Sequence, residues 1–225
     1  MTGATLKVIA LIAMTIDHIG YFLVSSPDEQ VIFRVIGRIA MPLFCFFIAE
    51  GYRHTSSKTR YFLRLFGFAM VLEGFLYIFY LSSGENYLFS INIFLTLSAG
   101  LGCLILLDSK DVRLIPFGII LAVAVMFTDF DYGLYGILLI LLFGMLNSFW
   151  LYVIGFTMIN ILFIHVLPVF LPEQTRFAMI QWFAMLSLLG ILAYNKMPGK
   201  QHKAFFYLYY PLHISIIVGI KAIFS

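Results

Sequence analysis

Charge is what this chain has least of. Asp, Glu, Lys and Arg supply 11% of its 225 residues and 62% are hydrophobic, whereas soluble domains carry roughly 25% charged residues. With a mean hydropathy of +1.01, water could not hold such a surface, so a freely soluble globule is excluded. The apolar runs are continuous and lack the alternation of lipid-facing strands, which excludes a β-barrel in favour of helices. Cysteine is scarce too. Cys45 and Cys103 both fall in apolar runs and read as small packing residues, reporting neither a disulfide nor a redox compartment. No His-x-x-x-His pair or Cys/His cluster is present, so no metal site is expected. No second domain, low-complexity tract or convincing internal repeat interrupts the chain, which reads as one all-α transmembrane bundle over residues 1–225.

What is abundant is span-length apolar sequence. A bilayer-crossing helix needs about 20 mainly apolar residues, with about 17 to 25 tolerated. Nine stretches qualify, at about 6–24, 31–51, 61–81, 90–107, 112–128, 133–147, 149–170, 176–194 and 204–223. The sixth is short, and only Asn147-Ser148 separates it from the seventh. The first contains "KVIALIAMTIDHIGYFLV" (Lys7–Val24); Asp17 and His18 interrupt its apolar centre and no small-x-small cleavage site follows, so it is expected to be a span rather than a removable signal.

The loops alternate in charge. "RHTSSKTR" (53–60), "DSKDVR" (108–113) and "NKMPGKQHK" (195–203) are basic, whereas "SSPDEQ" (25–30), "SSGENY" (82–87), "TDFDY" (128–132) and "LPEQTR" (171–176) carry Arg176 as their one basic residue. The positive-inside rule places the first set and Lys7 in the cytoplasm. Nine spans then put the amino terminus inside and the carboxyl terminus outside. The net charge of +3 is thereby mostly topology and makes no case for nucleic-acid binding.

Several polar residues break the apolar rule. Asp17 and His18 lie near the outer end of the first span, and Arg34 and Arg38, four apart on one helix face, enter the second span from the same side. Glu73 and Asn92 also fall in outer halves, as does His165, while His213 is near the middle of the last span. Each intramembrane charge costs about 2.5–3.5 kcal/mol on insertion scales, so a set at similar depth points to one polar cavity open to the outside. Asp17 can form a structural ion pair with either arginine as readily as serve chemistry. Adjacent helix positions point about 100° apart, so Asp17 is poorly placed to orient His18 and leaves it free to move protons. Glu73 is the candidate orienter. His18, His165 and His213 also admit a plain packing role, and Asp129 and Asp131 in "DFDYG" can simply cap or solvate an outer turn.

A second polar group closes the second span and opens the third. Glu50 and His54 share a face, as do Arg60 and Arg64, and Arg53 and Lys58 fall in the same hairpin. Topology alone accounts for such a basic cluster; the functional reading is an anion site for a phosphorylated cytosolic ligand, with Lys196, Lys200 and Lys203 able to close it.

The blocks "LKVIALIAMTIDHIG" (6–20), "RVIGRIAMPLFCFFIAEGYRHTSSKTRYFLRLFGFAMVLE" (34–73), "NIFLTLSAG" (92–100), "DYGLYG" (131–136) and "YYPLHI" (209–214) resemble the TraX family, whose founding function is acetylation of the pilin amino terminus. The long second block is the specific one. The resemblance implies a polytopic acyltransferase of the bacterial plasma membrane that uses acyl-CoA, most simply acetyl-CoA, as donor. By motif position it implies roles for Asp17, His18, Arg38, Glu50, His54, Arg60, Arg64 and Glu73, with Asn92 and His213 beside them. The chain reads "VLEGF" around Glu73, where the family has a small residue before the glutamate and Pro-Phe after it.

These readings fit one scheme. Acyl-CoA phosphates dock at Arg53, His54, Lys58, Arg60 and Arg64, and His18 acts as general base on an amine or hydroxyl acceptor, peptide or glycan, at the outer face. Arg38 stabilises the developing oxyanion and Asp17 holds that arginine. An acyl-enzyme on His18 or Cys45 stays open. Two other classes remain: a proton-coupled transporter, for which no repeat symmetry or paired broken helices are evident, and a scaffold for a surface apparatus. Membrane lipid is a partner in every case.

Overall fold

The computed structural model describes residues 1–83, 92–128, 130–170, 179–200 and 203–224, and the regular structure among them is entirely helical. Parts of the loops 82–87 and 171–176, Asp129 and Arg176 lie outside the described residues.

Helix α1 spans Gly3–Leu23, with the Thr2 side chain accepting from Thr5 N–H at its start. Helix α2 (Pro27–Gly37) opens with Pro27 in its first turn and with Asp28 and Glu29 facing the positive end of the helix dipole. Helix α3 runs Ala40–His54. Between them the regular ladder gives way to a turn at Arg38 and Ile39, although Arg38 keeps right-handed helical dihedrals and its N–H reaches the Arg34 carbonyl. The cause is Pro42, which has no N–H for the carbonyl four residues back and whose ring collides with it; that carbonyl is Arg38's. The expected second span is therefore two helices meeting at a polar residue.

Helices α4 (Lys58–Ser83), α5 (Ile93–Leu107), α6 (Ile115–Met126), α7 (Gly133–Met145) and α8 (Phe149–Ile161) follow. A π-helical turn over Leu162–Val166 carries α8 into the short α9 (Leu167–Phe170). Met179–Leu186 is a 3-10 helix leading into α10 (Ser187–Leu192), and α11 covers Lys203–Phe224 with Pro211 inside it. Each of the nine expected stretches thus carries helix. Among the described residues, four helices are long and apolar enough to cross a membrane: Gly3–Leu23, Pro27–His54 taken through its turn, Lys58–Ile78 and Phe149–Phe170. The others are shorter apolar helices, such as Ile93–Leu107 and Gly133–Met145.

The chain forms two compact units. One comprises Met1–Phe44 and Arg176–Ser225, the other Cys45–Thr175, so α3 contributes residues to both. In lipid there is little hydrophobic drive between helices, and small residues that let backbones approach supply the packing. Both units use glycine this way. In the first, a Cβ at Gly20 would overlap Phe33, and one at Gly37 would overlap the Asp17 carboxylate. The amino-terminal residues are tied down by Gly3 N–H to the Met197 carbonyl (2.8 Å) and Ala4 N–H to that of Pro198 (3.0 Å). In the second, Gly100 receives Ile140, Gly144 receives Leu104 and Gly155 receives Leu142. Buried Phe143 lies edge-on to Phe46, Tyr152 and Phe156. Large apolar residues such as Val71, Ile120 and Trp150 point outward, as lipid-facing side chains do.

Candidate functional site

In the first unit the glycine contact of α1 with α2 brings Asp17 between two arginines. Its Oδ2 accepts from Arg34 Nη1 at 2.6 Å and its Oδ1 from Arg38 Nη2 at 2.8 Å. The carboxylate lies against Gly37, flanked by Arg34 and Arg38 on the same helix, so any side chain at Gly37 would displace it. Sequence alone offered either arginine as partner; the structure shows Asp17 engaging both. Arg38 is buried and gripped at three points of its fork. Its Nε donates to the Arg34 carbonyl (3.1 Å) and its Nη1 to Gln181 Oε1 (3.3 Å), in addition to the Asp17 bond. Arg34 is looser, with a side chain 27% exposed, and its guanidinium lies 5.3 Å from the centre of the Tyr21 ring.

His18 meets α11. Its Nδ1 is 2.8 Å from His213 Nε2, and His213 Nδ1 is 2.9 Å from the Tyr209 carbonyl. A carbonyl only accepts, so His213 Nδ1 carries a proton. With His213 neutral, its Nε2 is an acceptor, and His18 Nδ1–H must be the donor. The chain of bonds therefore leaves His18 Nε2 as the lone pair, with no hydrogen-bond partner among the described residues. Tyr209 fixes the arrangement further: its ring stacks on His213 at 5.3 Å between centroids and its hydroxyl meets Thr15 Oγ1 at 2.7 Å. Phe22 and Tyr210 line the other sides of His18. The arrangement is an imidazole oriented by a second histidine, beside a partly buried ion triad.

The second unit holds the remaining residues singled out from sequence. Glu73 accepts from Asn92 Nδ2 at 2.8 Å, and the same nitrogen reaches the Ala69 carbonyl at 2.9 Å. Within its own unit His18 bonds to His213, and Glu73 belongs to the second unit, where it bonds to Asn92. The Oδ1 atom of Asn92 is buried without a hydrogen-bond partner among the described residues. Thr96 hydroxyl donates to the Asp131 carbonyl at the turn into α7. His165 is exposed within the π-helical turn.

The basic hairpin divides by chemistry. Arg53 does not present its fork outward: Nη1 donates to Glu50 Oε1 (2.8 Å), while Nη2 meets the Phe143 carbonyl, the Leu146 carbonyl and the Tyr152 hydroxyl. It caps the carboxyl end of α7, whose last carbonyls have no partner within the helix. Lys58 donates to the Tyr52 hydroxyl, which in turn donates to Asp108 at 2.6 Å, and its ammonium sits over the Tyr52 ring at 4.0 Å. These two cations, expected in an anion site, are engaged in holding helix ends together. Arg60 and Arg64 remain exposed and meet no carboxylate among the described residues, and His54 is 72% exposed.

Three contributors escaped sequence reading. Gln181 is an isolated polar residue in "FAMIQWFAML", the same signal that singled out Asn92. Gly37 sits inside "RVIGR", three after one arginine and before the next, where only a residue without a side chain admits a carboxylate. Tyr209 is one of 13 tyrosines and nothing local in the sequence sets it apart, although its carbonyl, ring and hydroxyl all take part.

Among relatives, the chain is 26% identical to the probable fimbrial assembly protein FimC, serogroup H1, of Dichelobacter nodosus, over 96% of this chain and 94% of that protein. It is 54% identical over 55 residues to the uncharacterized protein RP591 of Rickettsia prowazekii (strain Madrid E), which covers 24% of this chain and 21% of the other. No solved structure matches. The family model described as TraX protein matches residues 2–221, and by that near-complete match the chain belongs to the TraX family.

Proposed function

We propose that this protein is a multi-pass acyltransferase of the bacterial plasma membrane that transfers an acyl group, most simply acetyl, from coenzyme A to an amine or hydroxyl. The observation that carries the reading is the His18–His213–Tyr209 chain, which leaves one imidazole nitrogen as an available lone pair next to a fixed cationic cluster. In the transfer, His18 Nε2 takes the proton of the acceptor as its nitrogen or oxygen bonds to the thioester carbonyl carbon. The C–S bond then breaks, and the leaving thiolate receives the proton from His18. Arg38, anchored by Asp17, supplies positive charge for the carbonyl oxygen as it becomes negative. Arg60, Arg64 and His54 are the groups suited to the phosphates of the donor. The name of the Dichelobacter relative suggests a protein of fimbrial assembly as the acceptor. The charge pattern of the loops supports nine spans with the amino terminus inside and the carboxyl terminus outside.

The test is thiol release from acetyl-CoA by the purified chain. Wild type is expected to bind and release thiol; His18→Ala is expected to bind acetyl-CoA but lose about 10²- to 10⁴-fold in release. Arg60→Ala with Arg64→Ala is expected to lose binding. A folded wild type with no affinity for any acyl-CoA overturns the reading.

One observation favours a second reading, a proton-coupled transporter: the Asp17–Arg34–Arg38 ion triad within apolar spans, since intramembrane charges mark ion and substrate pathways. A substrate-driven proton current in liposomes without acyl-CoA consumption is its signature.

A further inference from the structure

We infer that Arg34 is the docking point for an anionic group of a ligand, a carboxylate or phosphate, irrespective of the reaction carried out next to it. The argument begins with charge. One carboxylate, Asp17, serves two guanidiniums at 2.6 and 2.8 Å, which leaves the triad with one net positive charge in a segment that is otherwise apolar. His18 on α1 and His213 on α11 are joined through a hydrogen bond in which one ring must accept, so they supply no negative charge. Asp28 and Glu29 are exposed in the first turn of α2, six and five positions before Arg34 and off its i−4 and i−3 rows. Among the described residues Arg34 pairs with no carboxylate but Asp17. A partly buried cation without its own counter-ion is expensive in a membrane and is kept where a ligand supplies the charge.

Geometry then selects which arginine. Three atoms of the Arg38 fork are committed to Asp17, Gln181 and the Arg34 carbonyl, and its side chain is 9% exposed. Arg34 donates one hydrogen bond, to Asp17, among the described residues, and its side chain is 27% exposed. Since a guanidinium has five N–H donors in a planar fork, most of its capacity is not used by the triad. Asp17 and the Tyr21 ring, one helical turn apart on α1, clamp it from two sides, so the fork is pre-oriented for a bidentate oxyanion. His18 lies on the same turn of α1, three positions before Tyr21, and so the anion would dock beside the base.

The experiment measures thermal unfolding of the purified full chain in detergent, at matched ionic strength, with inorganic phosphate replacing chloride. A second arm replaces phosphatidylcholine in the micelles with phosphatidylglycerol, to separate a soluble anion from a lipid headgroup. Both arms are run in the Arg60→Gln/Arg64→Gln background, which removes the exposed arginines of the other unit. The unfolding midpoint is expected to rise with phosphate or with phosphatidylglycerol, and Arg34→Gln is expected to weaken the apparent affinity by about tenfold or more. Arg34→Lys, which keeps the charge but not the fork, is expected to fall between. A response to phosphate identifies a soluble anion and a response to phosphatidylglycerol alone identifies a lipid headgroup. Absence of both responses in the background protein overturns the inference, as does an undiminished response in folded Arg34→Gln.

Discussion

At the scale of single residues, the first unit assigns unequal duties to groups that look alike in sequence. Replacing Asp17 by Asn leaves two guanidiniums facing each other with no carboxylate, and loss of one partner of a buried pair typically costs about 3–5 kcal/mol. Removing Arg34 leaves Asp17 balanced by Arg38, and the side chain is partly hydrated, so Arg34→Gln is expected to cost about 1 kcal/mol or less. Denaturation in detergent should rank Asp17→Asn well below Arg34→Gln; equal losses would mean the triad is not the unit described. His213 is a positioning residue. His213→Leu removes the acceptor for His18 Nδ1–H and frees the ring to turn, whereas His213→Gln restores an acceptor oxygen. Under the proposed reaction, thiol release should fall sharply in the first with donor binding unchanged, and recover in part in the second. Equal rates in the two variants would remove His213 from the mechanism.

At the scale of elements, glycines and caps carry what apolar area cannot. A methyl at Gly37 would meet the Asp17 carboxylate, so Gly37→Ala is expected to destabilise by about 1–3 kcal/mol from overpacking and to add the cost of a displaced ion triad. Gly74 in α4 has nothing within contact distance of an added Cβ. There Gly74→Ala is expected to be neutral or to stabilise by about 0.5–1 kcal/mol through helix propensity. Measuring both in one background separates crowding from propensity. Arg53→Ala should lower the unfolding temperature by uncapping α7, while Arg60→Ala leaves it unchanged. The same scale shows what was legible in the sequence. Helix positions followed from apolar run length, and the Asp17 ion pair from charges at equal depth across a short loop. The commitment of Arg53 to α7 was not legible, because a carbonyl cluster at a helix end leaves no mark on residue identity. Nor was the pairing of His18 with a residue 195 positions away, since nothing local relates "IDHIG" to "YYPLHI". Pro42 did stand in the sequence, and the break it imposes at Arg38 could have been read from the proline rule.

At the scale of the whole molecule, the open matter is which apolar helices cross. A helix of 15 residues such as α5 is about 22 Å long at about 1.5 Å per residue, short of a hydrocarbon core of about 30 Å. The α6–α7 pair is shorter still, at 12 and 13 residues. Two arrangements satisfy the loop charges: both helices cross, or the pair enters and returns on the cytoplasmic side. They agree for the ends of the pair, since Lys110 and Ser148 are cytoplasmic in either. They differ at the connection, where Thr128 is outside if the helices cross and shielded if they do not. The native cysteines are fully buried, so a single introduced thiol can be read without first removing them. With a membrane-impermeant maleimide on intact cells, Thr128→Cys is expected to label from outside and Ser148→Cys only after the membrane is opened. Glu29→Cys, in the α2 turn, serves as the external reference and Ser56→Cys as the internal one. Labelling of Thr128→Cys from the outside fixes α6 and α7 as crossing helices despite their length, with local bilayer thinning to match. Failure of that label while Glu29→Cys reacts would make the pair re-entrant and reduce the expected nine spans to seven.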